Sequence, residues 1–381
     1  MDFSYDEEQQ ALREAVRGLV GKAYSDFEAR RQTVAEDPGF SEKVWSQLAE
    51  MGVLGLPFDE DHGGMGAGAV EVGIVAQELG RVIAPEPFLG SVVLAGGLVA
   101  AAGSEEQRIA LLGDLSAGDS VLAFAHAEPG SRWQPTASAV TAASGADGWT
   151  LTGVKEPVQD GARADLLIVS AVLPSGGTGL FVVTAEAPGL TREGYRTHDG
   201  GRAAKVTFAG TPADLLGDDE DDRSGVIARV LDVARIAACN EAVGAMEVAL
   251  HTTSEYLKSR KQFGVTLNTF QALTFRAADM FVSLEQARSL ATWASMVLDS
   301  GSGEEASVAA SRAALGISRA GRHIGQEAIQ LHGGIAMTAE YSVGSYTAHL
   351  TALDHLLGDG GFHLAALSSG VGEHDEVDPL R

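Results

Sequence analysis

From Asp6 to about Gly118 apolar residues recur at helical spacing. In DEEQQALREAVRGLVGKAYSDFEARRQ, Leu12, Val16 and Leu19 form one stripe with charges opposite. SEKVWSQLAEMGVLGL opens on Ser41, a good N-cap, and closes near Gly52. AGAVEVGIVAQELGRV and SEEQRIALLGDL read as further helices, and the glycine-rich FDEDHGGMGAG before them reads as a mobile loop. From about Asp119 the pattern shortens. SVLAFAHA, WTLTGV, ADLLIVSAVL, GLFVVTAE and AAKVTFAG are rich in β-branched or aromatic residues and separated by Gly, Pro and Asp, as strands of a small sheet or barrel are. After the acidic run GDDEDD, three long proline-free helical segments follow, beginning at Ser224, Asn268 and Glu304. Short connections between long amphipathic helices predict an antiparallel bundle. The class is α+β: residues 1–118 helical, 119–222 a β domain, 223–381 a helical bundle.

Composition narrows the partners. A chain of 381 residues is too long for one ordinary core, and 45% hydrophobic residues fit a packed protein. A net charge of −25 repels nucleic acid and anionic membrane alike, while leaving room for a phosphorylated ligand gripped by a few local cations. The single cysteine, Cys239, cannot form an intramolecular disulfide and lies in the helical ARIAACNEAVGAM, where it reads as an inert core thiol in a reducing compartment. MDFSYDEEQQ lacks the basic and apolar regions of a secretory signal. The most apolar stretch, GSVVLAGGLVAAAG, is too short to span a bilayer. A cytoplasmic protein is expected.

Three places carry candidate chemistry. Glu241 has Ala234, Ala238, Ala245 and Val248 as its helical neighbours, a carboxylate on an apolar stripe. Burial there would raise its basicity, as for a general base, although pairing with a buried arginine is the plainer alternative. Glu247 lies on a different, more polar face. QLHGG, Gln330 to Gly334, ends a long helix with one glycine more than a cap needs, so it is either a cap or a close approach to a ligand. RKQFG, Arg260 to Gly264, sets a basic, glycine-ended turn between two helices, either a cap or a grip on an anionic cofactor. The ten histidines show no metal-ligand spacing. No G-x-S-x-G, P-loop or Rossmann fingerprint occurs.

Nearly the whole chain resembles an acyl-CoA dehydrogenase. The resemblance is carried by GVLGLPFDEDHGGMG, AQELGR, GVK, GARADLLIVSA, YLKSRKQFG, FQALTFRAADM and QLHGGIAMTAEYSV in this order. DFEARR, YRTHDG, EAVGAMEVAL, RKQFGV and LTALDHLLGD are similar to the small-subunit branch typified by pimeloyl-CoA dehydrogenase. The resemblance implies a helical N-terminal domain, a middle β-barrel-like domain and a C-terminal four-helix bundle. It also implies FAD as cofactor, an electron-transfer flavoprotein as acceptor, and homo-oligomers or a heterotetramer with a homologous subunit. Carried over, Arg260, Gln262, Phe263, Gln330 and Gly334 reach the FAD of a neighbouring subunit, and Glu241 matches the base of the pimeloyl-type and steroid-type branches.

Two departures qualify the resemblance. The base position near the C-terminus reads LDHLLGDGGFH, without a glutamate, and the position seven residues before Glu241 is Ala234. The usual flavin-contacting loop reads AEPGSRW, with Ser131 as its expected cofactor contact. The usual K-x-W-I-T reads KEPVQDG, which puts Gln159 at the flavin-facing threonine and Pro157 at the tryptophan. The leading expectation is α,β-dehydrogenation of a dicarboxylyl- or ring-bearing acyl-CoA. The rivals are a non-catalytic partner subunit that completes a homologue's FAD site, and a flavin monooxygenase or oxidase on the same fold.

Overall fold

In a computed structural model of the chain, which describes residues 4–146, 148–338 and 341–373, Asp6 caps α1 (Glu7–Ala23). Its carboxylate accepts from the Gln9 amide while the Gln9 side chain returns to the Asp6 N–H. Residues 1–3 and 374–381, the outer ends of the first and third predicted segments, lie outside the described residues. So do 339–340 within QLHGGIAMTAEYSV. α2 (Phe27–Ala35), α3 (Glu42–Glu50, capped by Ser41) and α4 (Ala69–Val82) follow. A buried π-helical run, Phe88–Gly96, passes into α5 (Gly97–Ala102). α6 (Glu105–Gln107) and α7 (Gly113–Ala117) flank one more π-turn, Arg108–Leu112. Val16, Trp45, Leu48, Val75, Leu79 and Leu98 join residues of the later helices in one apolar core.

The loop read as mobile is packed. A short 3-10 turn, Glu60–His62, buries His62, and Met65 and Gly66 donate to the Gly55 and Phe58 carbonyls. A Cβ on Gly64 would stand 1.9 Å from the Phe58 carbonyl oxygen, so glycine is there for contact and not for freedom.

The middle segment holds β1 (Leu122–Ala125), β2 (Thr141–Gly145), β3 (Gly148–Gln159), β4 (Leu166–Val172), β5 (Thr178–Thr184), β6 (Leu190–Arg196) and β7 (Arg202–Leu215). β2, β3, β7, β5 and β4 pair in sequence around a closed ring, with β1 added on β4 and β6 on β7. Leu151, Leu167, Val169, Phe181, Val183, Val206 and Phe208 fill its interior. β2 and β6 were not among the expected strands. The β3–β7 register shifts between Lys155 and Val158, and Pro157 sits in that bulge, where a missing N–H costs no ladder bond.

Lys155 is wholly buried, and its ammonium donates to Glu128 Oε1 (2.7 Å), the His126 carbonyl (2.9 Å) and Ser170 Oγ (3.1 Å). Glu128 also accepts from the N–H groups of Ser138, Ala139 and Val140 and from the Ser138 hydroxyl. The pair stitches the 126–140 loop to the barrel. Burial would raise the Glu128 carboxyl, but Lys155 and these donors outweigh it and hold it at about 2.

The last segment is α8 (Ser224–Ser259), α9 (Gln271–Ser300), α10 (Gly303–His332), α11 (Val343–Leu356) and α12 (Gly360–Ser369). Ala245, Met246, Leu284, Ala287, Ala313, Ile317 and Ile324 lie at its centre. Among the described residues no helix is long and apolar enough to cross a membrane.

Candidate active site

α8 and α4 cross at backbone contact. A Cβ on Gly80 would lie 2.0 Å from the Glu241 carbonyl oxygen, and one on Gly244 would lie 2.0 Å from that of Gln77. Gly73 leaves room for the Asn240 side chain, which donates to the Ile236 carbonyl and to Ser295. This seam fixes the Glu241 Cα.

The Glu241 stripe is apolar along α8 but meets a polar partner from another helix. His349 of α11 donates from Nε2 to Glu241 Oε1 at 2.9 Å and from Nδ1 to Asp199 Oδ2 at 2.9 Å. Asp199 stands in the turn between β6 and β7, its Oδ1 accepting from Thr197 Oγ1 and the Gly201 amide. Neither an arginine pair nor simple burial in apolar surroundings therefore describes Glu241. Burial opposes charge on His349, but its hydrogen bonds to Asp199 and Glu241 outweigh it and raise the ring to about 9. Burial also raises Asp199, and the His349 bond reverses that, leaving it below the usual carboxylate range.

Glu241 and His349 line a cavity of about 310 Å³, the size of a small-ligand site. Leu79, Phe88, Leu89 and Leu353 give it an apolar wall, and Glu86, Gln159 and Asp160 its polar points. Burial raises the Glu86 carboxyl to about 7 even though the Tyr24 hydroxyl donates to it, and Glu86 Oε2 has no partner among the described residues. Burial, then the Asp199 charge, raises Asp160 to about 7. Arg30, the buried cation nearby, is committed to the Ile83 carbonyl. Glu247, on the other face of α8, pairs with Arg81 and Arg288.

Gln159 also lines a narrower slot of about 80 Å³ with Phe124, His126, Trp133, Pro157 and Leu356. Trp133 closes one side: its indole N–H donates to the His355 carbonyl (3.1 Å) and its ring meets Phe362 at 5.6 Å. Ser131 is tied back to Glu128 in a tight turn and lines neither cavity. LDHLLGDGGFH supplies no carboxylate to the 310 Å³ cavity, since Asp359 caps α12 through the Phe362 amide.

The remaining predicted residues gather elsewhere. Lys261 and Gln262 pair with Thr266 and Val265, and Phe263 and Gly264 both have positive φ (54° and 82°). RKQFG is thus a tight hairpin of the primed type and not a helix cap. It holds the Phe263 ring 92% exposed. Tyr256 stacks on His332 at 4.5 Å, which brings this tip to the same end of the bundle as the exposed Gln330 and Gly334. Arg260 lies nineteen positions beyond Glu241, roughly 28 Å along the helix axis. Sequence reasoning missed His349 and Asp199. A histidine between the apolar Tyr346, Leu350 and Leu353, and a T-H-D-G turn able to fix an aspartate, were the available signals.

Residues 6–119 match the acyl-CoA dehydrogenase N-terminal domain and residues 224–371 the acyl-CoA dehydrogenase C-terminal domain. The chain belongs to the acyl-CoA dehydrogenase family. Its reaction is flavin-dependent dehydrogenation of an acyl-CoA thioester, with FAD as cofactor. It is 31% identical over 343 residues to acyl-CoA dehydrogenase IpdE2 of Mycobacterium tuberculosis, covering 89% of this chain and 90% of that one. It is 28% identical over 359 residues to the probable acyl-CoA dehydrogenase YngJ of Bacillus subtilis, covering 90% and 92%. Among solved structures it resembles a single-residue variant of the Tcur3481-Tcur3483 steroid ACAD (TM-score 0.86, 31% identity, 96% of this chain and 98% of that one). It also resembles the ChsE4-ChsE5 complex of Mycobacterium tuberculosis (TM-score 0.88, 26% identity, 99% and 100%).

This chain fits the cofactor unequally. The exposed hairpin and the Gln330–Gly334 turn offer a cation, an aromatic face and open backbone to a dinucleotide reaching the bundle end. The slot beside Gln159, at about 80 Å³ with Trp133 across it, is well below the roughly 300–1,000 Å³ of small-molecule sites.

Proposed function

We propose that Glu241 is the base that removes the α-proton of the bound thioester, in an enzyme that works as a dimer or larger assembly. The observation that carries this reading is the Glu241 carboxylate, bonded through one oxygen to His349 and lining the cavity with Gln159. FAD supplies the acceptor for the β-hydride, and electrons leave to an electron-transfer flavoprotein. Arg260 and Gln262 would hold the diphosphate of a neighbour's FAD, Phe263 its adenosine half, and Gln330 and Gly334 would approach it from the same side. The separation of roughly 28 Å from Glu241 supports this division between subunits. Exposed Phe275, Phe281 and Val282 on α9 support an extensive contact. The apolar wall of Leu79, Phe88, Leu89 and Leu353 favours a ring-bearing acyl chain, in line with the steroid enzyme among the similar structures. The single buried Cys239 supports a cytoplasmic setting.

A second reading has one observation in its favour. With Trp133 across the slot, this chain serves a homologous subunit that holds the flavin, as a two-component complex such as ChsE4-ChsE5 would allow. Purification of the chain alone and with a homologous subunit, followed by anaerobic acyl-CoA addition, separates the two. Bleaching of flavin in the lone chain supports the first reading. A colourless lone chain that bleaches only in the pair supports the second. Oxygen consumption with acyl-CoA in place of transfer to a carrier would support an oxidase. Arg260→Ala is expected to weaken FAD by about 1.5–3 kcal/mol, the scale of a hydrogen bond to a charged group, with helix content unchanged. Flavin absorbance after gel filtration of the assembly measures it, and full retention would overturn the assigned grip.

A further inference from the structure

We infer that His349, held by Asp199, is a positioning residue that orients the Glu241 carboxylate for proton abstraction. The inference rests on Glu241 being the base and adds what sets it. Both ring nitrogens of His349 face carboxylate oxygens at 2.9 Å, and ionised carboxylates only accept. The ring therefore carries a hydrogen on each nitrogen and is a cation. His349 spends both ring nitrogens on carboxylates of other elements. This one joins a barrel turn to α8 through α11. Asp199 cannot swing, because Thr197 and Gly201 occupy Oδ1 (2.6 and 3.2 Å) and leave Oδ2 for the imidazole. The chain of contacts thus runs from a fixed turn to Glu241 Oε1. Glu241 Oε2 makes no hydrogen bond among the described residues and is left for the substrate proton.

Two carboxylates are needed for a stated reason. With FAD bound to accept the β-hydride, the α-proton would pass to Glu241 Oε2 and the electron pair of the broken C–H bond would stay on carbon to form the double bond. Glu241 is then neutral. With Glu241 alone as partner, the imidazolium would be left as an uncompensated buried charge, an arrangement that costs several kcal/mol. Asp199 keeps it paired through the turnover. The other titratable groups around this cavity are Arg30 from α2, Glu86, Asp160 after β3, His198 and Arg202 of the barrel, and His355 of α11. On α10, Arg322 turns to Asp354. Asp199 supports the charge of Arg30 and opposes that of Asp160.

The test uses the flavin-loaded assembly labelled with ¹⁵N-histidine. In the wild type the resonances missing from His349→Gln should report a doubly protonated ring at neutral pH that titrates near 9, and Asp199→Asn should bring that titration down by about one unit or more. In single-turnover bleaching, His349→Gln should lose the alkaline limb that the wild type shows near 9. Asp199→Asn should move the alkaline limb downward. A strut would lower the rate at every pH without shifting that limb. Should His349→Gln lose its fold, judged by circular dichroism and flavin retention, Asp199→Asn carries the same two readouts. A ring that is neutral at pH 7, or an unshifted limb in a folded variant whose Glu241→Gln counterpart is inactive, overturns the role given to His349. Wild-type bleaching by Glu241→Gln overturns the base itself and the inference with it.

Discussion

Glu241→Gln is expected to bind FAD and acyl-CoA normally and to bleach the flavin about two to four orders of magnitude more slowly, the usual contribution of a positioned general base. The substitution keeps the shape of the side chain, and the amide oxygen can still accept from His349 Nε2. What is lost is the ability to take the α-proton. No other glutamate of the C-terminal bundle lines this cavity among the described residues, Ala234 is buried alanine, and Asp359 is spent on a helix cap. Glu86 and Asp160, from outside the bundle, also line the cavity, and the variant tells Glu241 from them. Anaerobic single-turnover absorbance, with the lone chain and with a homologous partner, measures the effect. Bleaching at the wild-type rate in both settings would move the base to another carboxylate of this cavity or to another subunit.

Lys155→Met is expected to destabilise the barrel by about 3–5 kcal/mol, the cost of removing one partner from a buried ion pair. Glu128 would keep its backbone and Ser138 donors but lose the cation bonded to its Oε1. The double variant with Glu128→Gln should recover part of the loss, because the stranded charge is gone. A pH dependence follows with a definite sign. Glu128 is held at about 2 in the fold, against roughly 4.3 in an unfolded chain, so its contribution is complete above the latter and disappears as pH falls towards the former. Lys155→Met should flatten that acid slope. Denaturant midpoints between about pH 2 and 6, a window set by those two values, read both effects. A Lys155→Met loss below about 1 kcal/mol would mean the pair is hydrated and not structural.

The long helices were legible because a 3.6-residue period held over about thirty residues cannot be mistaken for anything else. β2 and β6 were not, because nearly all their side chains are exposed or half-buried and so carry no alternation to read. Glu241 stood out as a carboxylate on an apolar stripe. Its partners did not, since His349 is 108 positions away and is brought to it only by the packing of α11 on α8. Glycines misled in one place and were under-read in another. In FDEDHGGMG they signal close contact, not freedom. In RKQFG the glycine follows a phenylalanine that also has positive φ, a pairing that composition alone does not suggest.

The glycine seam between α4 and α8 has a consequence for how such an enzyme can change its diet. Because the main chain at Glu241 rests on the main chain at Gly80, the backbone that carries the proposed base is registered without help from the apolar side chains that shape the cavity. Leu79, Phe88, Leu89 and Leu353 can then be enlarged, trimmed or made polar to admit a different acyl group while the backbone at Glu241 stays where it is. Selection, or an engineer, has a wall to recut and a fixed anvil to recut it against.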